Sequence, residues 1–187
     1  MQRILKDRCQ FKKLFFMKKA FSIILISVII LSCSKDKDSE KSINCSIDQI
    51  QELNEKKVTI TQGVYGTVFF TAGNCMPGEV GSPSPCRTCS VIRKVRIYEY
   101  TKFSDVTPIT QSSTFFTKVN TKLISEVQTD ANGFFEVNLQ PGSYTMMVVE
   151  NGMFYANKGD GQGGIQPITI TTGKLKADVD INYKAVF

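Results

Sequence analysis

The stretch Thr129-Asp130-Ala131-Asn132-Gly133-Phe134-Phe135-Glu136-Val137-Asn138-Leu139-Gln140-Pro141-Gly142-Ser143-Tyr144-Thr145-Met146 decides the fold. Asp130 to Gly133 supplies residues that tolerate positive φ, and Pro141-Gly142 fits the central pair of a type II turn. Phe135, Val137 and Leu139 fall on one face of the run between these turns. After them, Tyr144, Met146 and Val148 alternate with Thr145, Met147 and Val149. A period of two marks half-buried strands, so two hairpins are expected here, with Asn151-Gly152 ending the last strand.

The same period continues outward from this block. Towards the C-terminus, Ala177, Val179, Ile181, Tyr183 and Ala185 alternate with Asp178, Asp180, Asn182 and Lys184, which reads as a closing strand. Towards the N-terminus, alternation begins near Val58 and continues through Val64, Gly66, Val68 and Phe70, then through Val95 and Ile97. Strands separated by turn signals at such intervals predict an all-β sandwich. Ser46-Ile-Asp-Gln49 has capping-box spacing, and Ile47, Ile50 and Leu53 recur near helical spacing, so a short helix is expected to precede the strands.

A chain of 187 residues holds one mid-sized domain plus an export segment. Its hydrophobic content of 42% and charged content of 21% exclude collagenous and wholly disordered classes. The sequence contains no His, which removes the commonest general base and neutral metal ligand. The formal charge of +6 lies at the front: residues 1–32 carry Arg3, Lys6, Arg8, Lys12, Lys13, Lys18 and Lys19 against Asp7, and the charges balance from Cys33 onward. No concentrated cationic footprint is left for the folded part, so nucleic acid is not an expected partner.

Met17-Lys18-Lys19 precedes an apolar run from Ala20 to Leu31, too short for the roughly 20 residues that span a bilayer core. Residues 1–32 read as a signal peptide, with Met17 as an alternative initiator. Ile30-Leu31-Ser32-Cys33 resembles the lipobox of bacterial lipoproteins. The resemblance implies cleavage before Cys33 and a diacylglycerol on its sulfur, hence a membrane partner held through lipid. The expected location is the bacterial outer membrane, periplasmic or surface-exposed. Residues 34–42 lack any apolar side chain and read as a tether, so 33–56 forms a lipidated lead-in to a domain spanning 57–187.

Cys9 belongs to the export segment and Cys33 to the lipid, leaving Cys45, Cys75, Cys86 and Cys89. In an oxidising compartment two disulfides are expected. Proximity favours Cys75 with Cys86 or Cys89, and Cys45 would then tie the N-terminal segment to the domain. Cys86-Arg-Thr-Cys89 also has redox CxxC spacing, but its flanks supply neither a helix N-terminus nor a cationic pocket.

Gly63-Val-Tyr-Gly-Thr-Val68, Lys94-Val-Arg-Ile-Tyr98 and the block from Thr129 to Met146, followed by Ile168-Thr-Ile-Thr-Thr-Gly173, together resemble the carboxypeptidase regulatory-like, prealbumin-like domain. The resemblance implies a Greek-key sandwich of about seven strands without catalytic residues or cofactor. Transthyretin-like hydrolases share that fold and rely on histidines, which this chain lacks. Two departures, the Cys-rich loop 75–89 and a long connection from Phe103 to Asn120, are where an individual function is expected to lie.

Two groups of residues are candidate binding sites. The run from Asn151 to Gly164 holds five glycines, and its Tyr155, Asn157, Asp160 and Gln162 are suited to a sugar or, through Tyr155, to a peptide, unless the run is a plain crossover between strands. With one carboxylate it is a poor Ca²⁺ loop. Arg96, Tyr98 and Tyr100 form a ladder of a cation and aromatics, opposite Val95 and Ile97, suited to stacking unless Phe115-Phe116 covers it. The chain thus reads as a non-catalytic binding module for an envelope protein or polysaccharide. The alternatives are a structural subunit of a surface assembly and, last, a CxxC oxidoreductase.

Overall fold

The computed structural model describes residues 45–78 and 85–187; the signal stretch, the Cys33 lipid site and the polar tether lie outside them. Helix α1 (Ile47–Glu55) opens the described part. Ser46 sits at its N-cap with extended backbone but makes no side-chain cap hydrogen bond, so the capping box is not what holds this helix. It is held through its buried face. Ile50 is fully buried, and the Asn54 amide donates to Thr67 Oγ1 at 2.9 Å and to the Asn132 carbonyl at 3.1 Å.

Strand β1 (Gly63–Asn74) is the spine of a five-stranded sheet. Its first half pairs with β7 (Phe134–Val137) and, in parallel, with β11 (Lys174–Lys176). Its second half pairs with β2 (Arg87–Ser90) and, in parallel, with β12 (Val179–Val186). Gly66 lies where the chain crosses from β11 to β12, and any Cβ there would overlap the Ala177 carbonyl. That close approach explains a glycine inside a strand.

The second sheet has seven strands. Its order is β4 (Val106–Pro108), β5 (Phe115–Val119), β9 (Met153–Tyr155), β8 (Gly142–Glu150), β3 (Lys94–Glu99) and β6 (Leu123–Gln128), with β10 (Pro167–Ile170) also on β8. The two sheets make the expected all-β sandwich. Among the described residues twelve strands stand in place of about seven because β2, β4, β9, β10 and β11 have only three or four residues, too few to show a period of two.

Two other expectations are corrected. Asp130–Gly133 makes a turn, with Asp130 Oδ1 accepting from the Asn132 and Phe134 amides, whereas Pro141 only bends the chain and Gly142, not at positive φ, already opens β8, so the type II turn does not form; neither stretch makes a hairpin. β6 and β8 lie in one sheet and β7 in the other, so both connections carry the chain between layers. Turn residues specify local backbone, whereas β7 is drawn to β1 because Phe135 and Val137 need the interior. The supposed connection Phe103–Asn120 contains a 3₁₀ turn (Phe103–Asp105), β4 and β5. Asn151-Gly152, read from sequence only as the end of a strand, makes a tight hairpin between β8 and β9, with both residues at positive φ, 51° and 77°, as its two-residue turn requires.

The main core lies between the sheets, with Val64, Val68, Val95, Ile97, Phe135, Met146, Val148 and Ile181 at or near full burial. A second apolar cluster, Tyr98, Phe116, Met147, Ala156 and Ile165, covers the outer face of the seven-stranded sheet. Adjacent Phe115 and Phe116 belong one to each cluster, as the alternation of a strand demands. The disulfides are Cys45–Cys89, which fastens the segment before α1 to β2, and Cys75–Cys86, which closes the loop after β1.

Candidate functional site

The second cluster is roofed by the segment between β9 and β10, whose backbone is built as a small ladder. Ala156 N donates to Thr114 O at 3.0 Å, and Gln166 N donates to Lys158 O at 2.7 Å. Beyond Lys158 the chain turns through Gly159 to Gly164. Asp160 organises that turn. Its Oδ1 accepts from the amides of Gln162 at 2.8 Å and Gly164 at 2.9 Å, and its Oδ2 accepts from the Tyr100 hydroxyl at 2.6 Å. Gly161 and Gly163 take φ of 76° and 93°, which bulkier residues resist.

A second stretch of chain braces the loop from its other side. Ile165 N donates to Thr101 O at 3.0 Å and Phe103 N to Gly163 O at 2.9 Å, so residues 101–103 run alongside 163–165. Gly164 is required by this contact, because a Cβ would overlap both Asp160 Oδ2 and the Tyr100 hydroxyl. The Tyr100 hydrogen bond, with the two amides, holds the Asp160 carboxyl below its ordinary range, and the same bond pushes the Tyr100 hydroxyl up.

The loop parts two clefts. The polar one, of about 590 Å³, is lined by Tyr100, Lys102, Ser143, Asp160, Gln162, Pro167 and Thr169, with Ser143 and Thr169 adjacent across the β8–β10 pairing. The other, of about 400 Å³, has Phe116, Ala156 and Ile165 among its lining, with Phe103, Ser113, Thr114 and Lys158. Phe103 is 46% exposed and packs edge-on against Phe116 at 5.8 Å. Lys102 and Phe103, neighbours in sequence, serve different clefts.

Of the sequence candidates, Tyr100, Asp160 and Gln162 meet in the polar cleft, and Asn157 lines the apolar one. Tyr155 does not face ligand. It is 1% exposed in the main core, its ring 5.0 Å from Phe115, and its hydroxyl donates to Asn182 Oδ1 at 2.9 Å while accepting from Asn182 N at 3.1 Å. Burial pushes that hydroxyl's pKa up. The Asn157 amide group donates to Asp180 O and Asn182 Oδ1, so with Tyr155 it seals the outer edge of β12. Two members of the ladder are likewise covered. Tyr98 is 4% exposed against Phe154 and in one cluster with Phe116, and Arg96 lies over the Phe154 ring at 5.2 Å while donating to Glu126. The aromatic side chains of β5 and β9 are what closed them off.

Lys102, Phe103, Ser143, Lys158 and Thr169 escaped sequence reading because they meet only when 101–103 docks on the loop. The run of glycines was the one signal that pointed to them. Among the described residues no cluster of His, Cys, Asp or Glu fit to hold a metal occurs, and no helix is long and apolar enough to cross a membrane. No family model, curated protein or solved structure matches the chain.

Proposed function

We propose that the protein is a lipid-anchored envelope module that binds a polysaccharide in the polar cleft and performs no reaction on it. The cleft itself carries the reading. Hydroxyls of Ser143 and Thr169, the Gln162 amide, the Lys102 ammonium and the Tyr100 ring converge on one open groove, the mixture that recognises sugar hydroxyls. Asp160, the acid of this groove, has both oxygens engaged and a lowered pKa, which suits it to hold the loop and unsuits it to take a proton near neutrality.

The apolar run before Cys33 and the resemblance of Ile30 to Cys33 to a lipobox support anchoring through Cys33 at the bacterial outer membrane. Pairing of all four remaining cysteines in disulfides supports export to an oxidising compartment. Cys86 and Cys89 are bonded to different partners and not to each other, which disfavours a CxxC oxidoreductase. The resemblance of the Thr129–Met146 block to carboxypeptidase regulatory-like domains supports a binding module without catalysis.

The test is titration of the full chain, purified in detergent, with a panel of neutral and acidic polysaccharides. Binding that Gly164→Ala abolishes, without loss of thermal stability, supports the reading; a panel with no binder ends it. A structural subunit is the second reading, favoured by β6, whose outer side pairs with no strand among the described residues and whose Leu123 and Ile124 are 43% and 38% exposed.

A further inference from the structure

The apolar cleft has its own charge and donor pattern. Lys158 is the one charged residue of its lining; it also borders a neighbouring opening lined by Lys176 and Asp178, and no ion pair engages it among the described residues. Its backbone is pinned to Gln166, so the side chain alone is free. The amides of Gly159, Gly161 and Gly163 border the same cleft and donate to no protein acceptor among the described residues. No atom lies within 4 Å of where a Cβ would stand on Gly161 or Gly163, so a ligand can approach that backbone closely. A cation and uncommitted backbone amides together call for an anionic oxygen group.

Beside these groups stands Phe103, with nearly half its surface open and its ring steadied edge-on by Phe116. An aromatic ring so placed takes the apolar face of a ring-shaped ligand. The volume of about 400 Å³ lies within the roughly 300 to 1,000 Å³ of small-molecule sites.

We infer that this cleft takes a uronate, an acidic sugar unit of the bound polysaccharide, with its carboxylate at Lys158 and the loop amides and its ring face on Phe103. A neutral hexose would leave Lys158 unanswered, and a purely apolar group would leave the amides unanswered. The inference rests on the polysaccharide reading above and gives the loop two subsites, one for neutral hydroxyls and one for acid.

The experiment uses the full chain in detergent at low ionic strength, titrated with oligogalacturonate and with its fully methyl-esterified, neutral form. Calorimetry reads affinity and backbone amide shifts read the site. The acid form is expected to bind about tenfold tighter than the ester, as one charge-assisted contact implies, with the largest shifts at residues 158–164. Lys158→Gln is expected to erase that preference while keeping ester binding, and Phe103→Ala to weaken both forms. Equal binding of acid and ester, or a preference that survives Lys158→Gln, overturns the uronate site and leaves the polysaccharide reading standing. Failure of every neutral and acidic sugar to bind removes both.

Discussion

The hydroxyl of Tyr100 and the carboxylate of Asp160, 60 residues apart, meet at 2.6 Å and fix the loop between the two clefts. Both groups are solvent-exposed, so their bond sets local order more than global stability. Tyr100→Phe is expected to leave the melting temperature unchanged while speeding amide exchange at Gln162 and Gly164 and weakening sugar binding. Unaltered exchange would show that the loop holds its shape without this bond.

The same pair fixes a pH window. The folded Asp160 pKa is depressed from 3.8, so its contribution to loop order is complete above that value and is lost as pH falls through the lower folded one. The Tyr100 pKa is raised from 10.0, so its contribution is complete below that value and is lost as pH rises through the higher folded one. Loop amide protection, corrected for intrinsic exchange, is therefore expected to stay flat through neutrality and to fall only at the two extremes. A midpoint near neutral pH would contradict this assignment.

The two disulfides differ in the length of chain they close. With a sequence separation of 44, Cys45–Cys89 is expected to contribute about 4 kcal/mol through the unfolded state, and Cys75–Cys86, with a separation of 11, about 3 kcal/mol. Denaturant titration of Cys45→Ser/Cys89→Ser and Cys75→Ser/Cys86→Ser variants measures both, and the first should lose more. The reverse order would mean that α1 docks without its staple.

Strand content was legible because Val64, Val68, Val95, Ile97, Phe135, Val137, Val179 and Ile181 keep a period of two and all prove buried. Which sheet a strand joins was not legible. The residues at Asp130–Gly133 and Pro141–Gly142 have hairpin chemistry, and the demand of Phe135 for the interior sends β7 across. The glycine run marked the site, but Tyr155 within it and Tyr98 beyond it were misread as surface. Tyr155 sits on a short, wholly apolar strand and Tyr98 shares its face with Lys94 and Arg96, so alternation could not tell a face turned to solvent from one beneath the second cluster.

Glu150 offers a sharper test of the interior. It is 3% exposed, accepts from Arg93 Nε and accepts from the Tyr183 hydroxyl at 3.0 Å. Removing one partner of a buried ion pair strands the other charge, so Arg93→Ala is expected to cost about 3 kcal/mol. The double change Arg93→Met/Glu150→Leu should recover most of that loss in chemical denaturation. A single variant as stable as wild type would show that Tyr183 and water suffice for the carboxylate.

Several edge strands of this sandwich are blunted in different ways, and β6 is not. β4 has three residues and ends in Pro108, β10 begins with Pro167, and β12 has its outer groups at Asp180 and Asn182 taken by Asn157 and Tyr155. β6 runs for six residues without proline, and its one charge, Glu126, is already bound by Lys94 and Arg96 of β3. A bulge opposite Ile97 and Tyr98 twists its first residues, which leaves Ser125 to Gln128 as the regular part able to accept another strand. Sedimentation of the full chain at rising concentration is expected to show weak association that Val127→Pro or Ile124→Lys suppresses. Ile124→Lys should leave the melting temperature within a degree or two, since that side chain is already 38% exposed. Association untouched by either change would move the contact off β6 and remove the observation favouring a structural subunit.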